Sequence, residues 1–249
     1  MAITARQAAD PLGRAMRDYQ RGTLGTLRYR DGATTQDGRV AEYYFESPEH
    51  WADERIAVLE RIANRDGPVL DVGCGAGQYA CWLQERGLEV TGIDASPHAV
   101  EAAREQGLEN ARVMDMFDLT FDPGRFATVQ VFGTQLGLAA SFAGVRELLG
   151  SVARITDEDG VAVVDNYDPN AIADDLLGYR PDPRDGVAHR CFHLEYEPND
   201  ESETVVGPTL HFLLFGPDRL ADATIGTPWR VADIVREERT YVAVLEKSA

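Results

Sequence analysis

The sequence predicts an α/β fold, a mostly parallel sheet with helices packed on both faces. Two observations carry that expectation. Between residues 69 and 164, short apolar runs alternate with stretches of helical period, the interval of βαβ units with right-handed crossovers. Trp229–Val235 and Thr240–Leu245 then form two further runs of strand character, placed to close the sheet as an antiparallel pair.

Residues 1–47 read as a leader or lid, with one short helix near 5–20 and irregular structure after it. Arg21-Gly22, Asp31-Gly32 and Asp37-Gly38 are its turn signals, and Tyr43-Tyr44-Phe45 is an aromatic knot. Ser47-Pro48 predicts a helix N-cap followed by proline at the first helical position. Ala52, Ile56, Leu59 and Ala63 mark one face of that helix, and Asp66-Gly67-Pro68 ends it. Strands follow at Val69–Val72, Glu89–Ile93, Ala111–Met114, Phe126–Phe132 and Val161–Val164. Helices over Gly77–Arg86, Pro97–Gln106 and Phe142–Ile155 connect them, the first two stopped by glycine. After Asp165 the pattern changes to strands over Ala188–Tyr196 and Thr204–Phe215, joined by Pro198-Asn199-Asp200, and a short helix over Pro217–Ile225. Residues 48–249 are therefore expected to form one domain with an insertion around 168–215.

A chain of 249 residues, 44% hydrophobic and 27% charged, has the composition of an ordinary globular α/β domain. No apolar run approaches the ~20 residues of a membrane span. Met1–Asp10 lacks a signal-peptide core, and Cys74, Cys81 and Cys191 have no paired spacing, so a cytoplasmic, reducing setting without metal is expected. The net charge is −18, and every basic residue but Lys247 is arginine. Such a surface repels phosphate backbones and argues against a nucleic-acid partner. It also resembles the surfaces of proteins from salt-rich cytoplasm, where screening removes the repulsion. Residues 1–50 are neutral, so the excess lies in 51–249. Arg14, Arg17 and Arg21 recur at helical spacing, either to meet an anion or as a solvated face paired with nearby acids.

The strongest motif is Val69-Leu-Asp-Val-Gly-Cys-Gly-Ala-Gly77, a strand running into alternating glycines and then a helix. Glycines there permit left-handed backbone and let a ligand lie against the main chain, at the strand ends where open α/β sheets bind ligands. Gly75-x-Gly77-x-x-Ala80 by itself also satisfies a dinucleotide pattern. Asp71, two residues before Gly73, would face a pyrophosphate; it suits a cationic ligand such as S-adenosylmethionine. Asp94 ends the second strand, 17 residues beyond Gly77, where a carboxylate accepts from two ribose hydroxyls.

With VLDVGCGAGQYA in this place, the chain resembles the class I S-adenosylmethionine-dependent methyltransferases of the small-molecule type, well over 67–167 and loosely over 200–246. The resemblance implies a Rossmann-like seven-stranded sheet with an antiparallel last strand and S-adenosylmethionine as cofactor. It implies that Asp71, Gly73, Cys74 and Gly75 line the methionine moiety and that Asp94 holds the ribose, with Gly77 and Ala95 also at the cofactor. Asp115 and Met116 match the adenine-recognising pair, with Asp118 a rival and a turn-capping aspartate the plain alternative. Gly133 falls at the cofactor end of the fourth strand. Phe132-Gly-Thr-Gln-Leu136 lacks the Asn/Asp-Pro-Pro-Tyr motif of base and glutamine N-methylation, which leaves the acceptor an unidentified small molecule.

Methyl transfer needs positioning and desolvation more than covalent catalysis, and a base only if the acceptor must lose a proton. His189, His193 and His211 fall on the late strands where relatives build the acceptor pocket; Asp165 and Asp168 are rivals by position. Gln135 and Tyr44 are candidate substrate contacts, Tyr44 within a lid that would exclude water. An NAD-dependent oxidoreductase, a non-catalytic S-adenosylmethionine-binding regulator and an aminopropyltransferase are the competing readings.

Overall fold

A computed structural model of the chain describes residues 9–172, 175–199 and 203–248. In chain order its elements are α1 (Pro11–Gln20), β1 (Thr26–Asp31), β2 (Thr34–Asp37), α2 (Val40–Tyr44), α3 (Asp53–Ala63), β3 (Val69–Val72), α4 (Gln78–Glu85) and β4 (Val90–Asp94). Next come α5 (Pro97–Glu105), β5 (Ala111–Val113), β6 (Phe126–Val131), α6 (Phe142–Ile155), β7 (Thr156–Tyr167) and β8 (Tyr179–Pro181). The chain closes with β9 (Val187–Glu197), β10 (Val205–Val206), β11 (Leu210–Phe215), α7 (Leu220–Thr224), β12 (Trp229–Arg236) and β13 (Thr240–Lys247).

The main sheet has seven strands in the order β12-β13-β7-β6-β3-β4-β5. From β7 to β5 all pairs are parallel, while β13 runs antiparallel to both β7 and β12. This is the Rossmann-like arrangement with a reversed strand. Parallel strands are covered on both faces, and β3 and β6 are buried at every residue. On one face Val69, Val90 and Val163 pack under α3, α4 and α5 through Val58, Leu59, Ile62, Leu83 and Val100. On the other, Leu70, Val129 and Ala162 meet Val145, Leu148 and Val152 of α6.

A second, antiparallel sheet stands beside the first. Its centre is β9, paired with β1, β8, β10 and β11, and β2 extends it from β1. The leader expected to be irregular after its helix thus supplies a hairpin. Asp31-Gly32 is a strong hairpin signal, and Gly32 takes the left-handed conformation such a turn needs. Its strands are polar and half-exposed, so alternation alone does not reveal them. The helix near 5–20 is described from Pro11 onward; residues 5–8 and Asp200 of the polar turn lie outside the described residues.

Three further expectations are corrected. The run Thr204–Phe215 is two strands separated at Gly207-Pro208, where a proline cannot donate to a ladder. The fifth parallel strand, read as Val161–Val164, extends over Thr156–Tyr167 because its acidic start continues from α6 without an intervening turn. In α3 the buried stripe is Arg55, Val58, Leu59 and Ile62, with Ile56 and Ala63 only partly buried. A charged residue is part of that stripe because its charge is paired in the interior.

Candidate functional site

The glycine turn between β3 and α4 sits at the carboxyl end of the parallel strands. Gly73, Gly75 and Gly77 all have positive φ, at 70°, 55° and 85°. At Gly73 space is also decisive: a Cβ would stand 2.7 Å from Cγ of Gln135, so Gln135 lies directly over the turn. The Gly73 and Cys74 amides both donate to the Ile93 carbonyl at 2.8 and 2.9 Å, which anchors the turn to β4. Half-buried Cys74 rests its sulfur against Gly92.

Asp94, at the end of β4, accepts from the Gly75 amide at 3.0 Å on one oxygen and from the Ser96 amide at 2.8 Å on the other. A carboxylate has about four acceptor positions, so roughly two remain, one per oxygen, spaced for a vicinal diol. Burial pushes the Asp94 carboxyl up to about 6, against those two amides and with the Asp10 carboxylate adding repulsion. Asp71 is more deeply enclosed, and burial with the nearby Asp94 charge pushes it up to about 7. Gln130, its neighbour across the parallel pair, is fully buried, and neither of its amide atoms meets hydrogen-bond geometry. It favours the Asp71 carboxylate, and burial wins.

Beyond Asp94 the chain passes exposed Ala95 into Ser96, which caps α5 and donates to Asp10 of the leader. After β5, Asp115 is exposed; one oxygen accepts from the Phe117 amide at 3.0 Å, and Met116 beside it is buried. Exposed Asp118 donates its amide to the Asp115 carbonyl, closing the turn. Val113 and Phe117 show apolar surface around this rim, 45% and 49% exposed.

The loop after β6 is held by a buried ion-pair group absent from the sequence reading. Asp165 accepts from the Gly133 amide at 3.0 Å and the Thr134 amide at 2.7 Å. It pairs with Arg55 at 3.2 Å, and Arg55 pairs in turn with Glu237 at 3.1 Å. The guanidinium is flanked by the Phe132 ring at 4.5 Å and the Tyr79 ring at 5.7 Å. Burial works to discharge Arg55, but Asp165 and Glu237 hold it charged. Burial also raises the Asp165 carboxyl, opposed chiefly by Arg55. Asp165 is therefore committed to holding structure. Thr134 and Ala140, at φ 58° and 59°, are the two non-glycine residues with positive φ among the described residues, and they bracket the short helix Gln135–Ala139. Such backbone costs roughly 1–3 kcal/mol per residue and persists where its surroundings impose it.

Known proteins agree with this geometry. Residues 69–160 match a family described as the methyltransferase domain. Residues 69–160 are therefore similar to a methyltransferase domain. A putative methyltransferase of Bacillus subtilis, YqeM, is 30% identical over 126 residues, covering 49% of this chain and 51% of that protein. The 2-heptyl-1-hydroxyquinolin-4(1H)-one methyltransferase of Mycobacteroides abscessus is 42% identical over 110 residues, covering 38% and 48%. The chain matches about half the length of these relatives. Among solved structures, a SAM-dependent methyltransferase from Bacteroides fragilis in complex with S-adenosyl-L-homocysteine superposes with a TM-score of 0.78 at 22% identity, covering 98% and 97%. The methyltransferase CcbJ of Streptomyces caelestis superposes at 0.62 with 16% identity, covering 84% and 96%.

Over the glycine turn lies the leader. A Cβ on Gly75 would meet Tyr44 at 3.4 Å and Met16 at 3.5 Å, and Gln78 of α4 donates to the Tyr43 carbonyl at 3.0 Å. Phe45 packs on Tyr19 of α1, with ring centroids 4.5 Å apart. Arg17 of α1 and Arg21 just past its end follow the paired-face reading: Arg21 joins Glu101 and Glu105, and Arg17 joins Asp18 and His98.

In the second sheet, strand alternation sorts β9. Ala188, Phe192, Leu194 and Tyr196 turn inward with Arg190, toward Tyr29, Tyr44, Tyr167 and Phe212. His189, Cys191 and His193 share the opposite face. His189 meets Asp182 at 3.3 Å and His211 at 3.0 Å, and His193 meets Glu195 at 3.1 Å. The structure does not bring these histidines to the glycine turn. Asp168 caps the Asn170 amide and pairs with Arg236. Tyr29, Tyr167 and Arg190 beside the inward face of β9, and Arg55 on Asp165, are residues that the sequence reading did not single out. The Asp31-Gly32 hairpin signal would have brought in Tyr29; for Arg55 and Arg190 no local signal exists.

Proposed function

We propose that the chain is an S-adenosylmethionine-dependent methyltransferase acting on a small-molecule acceptor. The observation that carries this is Asp94: a buried carboxylate holding the glycine turn through Gly75 while keeping acceptor capacity on both oxygens for a ribose diol. Asp71 supports it, since a buried carboxyl below the turn favours a cationic ligand over a pyrophosphate. In this reading Asp71, Gly73, Cys74, Gly75 and Gly77 line the methionine end, with Gly133 and Gln135 across from them. Asp94 and Ala95 take the ribose, and Asp115 offers its second oxygen to the adenine amine beside Met116.

The cofactor would supply an already activated methyl carbon, so this chain's residues need to orient the acceptor and exclude water. Met16 and Tyr44 cover the turn, which supports residues 1–47 as its lid and the 168–215 segment as the acceptor side. Relatives named for hydroxyquinolone methylation and for ubiquinone biosynthesis O-methylation are in keeping with a small-molecule acceptor. The acid excess and sparse cysteines support a salt-rich cytoplasmic setting; among the described residues no helix is long and apolar enough to cross a membrane.

Calorimetry in molar KCl tests the reading. S-adenosylmethionine and S-adenosylhomocysteine should bind with affinities of about 1 mM or tighter, and NAD should not. Asp94→Asn should weaken both by about tenfold or more, the loss of one or two charge-assisted hydrogen bonds. NAD binding as tightly as S-adenosylmethionine would overturn it.

A further inference from the structure

Resting on the methyltransferase reading above, the acceptor side carries one charge that is unmatched among the described residues. Strands β1, β8 and β9 contain four arginines. Arg28 pairs with Glu197, Arg30 with Glu195 and Arg180 with Asp31, each through contacts of 2.7–2.8 Å. Arg190 is the exception. It lies on the inward face of β9, half-buried, with its guanidinium 4.4 Å from the Phe192 centroid and 5.9 Å from that of Tyr29. Its Nε donates to the Leu177 carbonyl at 2.9 Å, and among the described residues no carboxylate lies within ion-pair distance of it. In a chain with 42 acidic residues, such a gap is not for want of acids. Taking a cation part-way out of water without a counter-charge is costly, and the cost is recovered when an anion arrives.

Arg190 connects to the cofactor turn through aromatic side chains. Tyr44 lies against Gly75 and shares an aromatic cluster with Tyr29. Burial keeps both phenols neutral, and the positive charge of Arg190 acts on Tyr29 and on Tyr167. Phe192 stacks on Phe212 with centroids 5.5 Å apart and planes within 9°. The side chains between turn and guanidinium are thus an aromatic cluster, with one cation at its far end.

We propose that Arg190 anchors the methyl acceptor, and that the acceptor is an aromatic carboxylic acid whose ring lies against Tyr29, Phe192 and Phe212. A planar guanidinium fork with its terminal nitrogens unspent matches a carboxylate bidentately. One cation balances one negative charge; a phosphate dianion would call for more. The ring contact follows from the aromatic lining, and the anchored end leaves the opposite edge of the ring toward the glycine turn.

The test uses the full chain saturated with S-adenosylhomocysteine. The probes are 4-hydroxybenzoate, 4-aminobenzoate and 4-hydroxycinnamate, each beside its primary amide, with affinity read by ligand-observed NMR titration. At least one acid should bind about tenfold or more tighter than its amide, the contribution of a charge-assisted pair. Arg190→Gln should bring acid and amide within about twofold while S-adenosylhomocysteine affinity stays unchanged and Tm does not fall, and Arg190→Lys, a charge without the fork, should retain part of the preference. Acids and amides binding alike, no probe binding at all, or a preference that survives Arg190→Gln each overturns the proposal and leaves the methyltransferase reading standing. Failure of S-adenosylhomocysteine itself to bind overturns both.

Discussion

Arg55→Met offers the sharpest test of how the site is held. The substitution keeps a long side chain between Tyr79 and Phe132 but removes the cation that pairs with Asp165 and Glu237. Breaking a buried pair by deleting one partner costs about 3–5 kcal/mol, because the remaining charge stays buried. Asp165 retains the amides of Gly133 and Thr134, which puts the loss near the lower end, about 3 kcal/mol. For a chain of this size that is a fall in Tm of roughly 6–12 °C. The loss should depend on pH with a definite sign. Burial already raises the Asp165 carboxyl, with Arg55 opposing it; without Arg55 it rises further. Protonation then relieves the variant as pH falls, so its deficit is largest at pH 8 and smaller at pH 5.5. Urea unfolding at both values measures this, with Arg61→Ala as control. Arg61 and Asp233 pair at 51% and 47% exposure, where a pair is worth about 0–1 kcal/mol. Titration with S-adenosylhomocysteine should also weaken, since Gly133 and Thr134 position Gln135 over Gly73. An Arg55→Met variant no less stable than Arg61→Ala would refute the assignment of Arg55 and Asp165 as the clamp.

Two more outcomes follow from charge. Because Asp71 sits near 7 in the folded chain and far lower when unfolded, the folded state holds this proton more tightly, and stability falls as pH rises between about 4 and 7. A cationic cofactor favours the carboxylate, so S-adenosylmethionine affinity should rise by up to about tenfold per pH unit below 7 and level off above it. Asp71→Asn should flatten that profile; an unchanged profile in the variant would remove Asp71 from the cofactor site. Salt is the other lever: with −18 lying in residues 51–249, screening lengths of about 30 Å at 0.01 M and 3 Å at 1 M should raise Tm and cofactor affinity from dilute buffer to molar KCl, and nearly as much with NaCl. Equal stability in dilute buffer would reduce the acidity to a solubility device.

The sequence by itself determined the parallel half of the sheet and the glycine turn. Val69–Val72 and Phe126–Val131 are apolar at nearly every position because both faces are covered, and the alternating glycines after Val72 announce backbone that other residues avoid. Asp94 was legible because a strand ends there, a fixed distance past the turn. Only the tertiary structure decided what surrounds them. Arg55, Asp165 and Glu237 meet across separations of 110 and 182 residues. The inward face of β9 acquires its chemistry from β1, contributed by a leader whose polar strands carry no hydrophobic period. Charges and hydrogen bonds act over a few ångströms in space and leave no period along the chain, so Arg190 reads like any other arginine until its neighbours' carboxylates are found paired elsewhere.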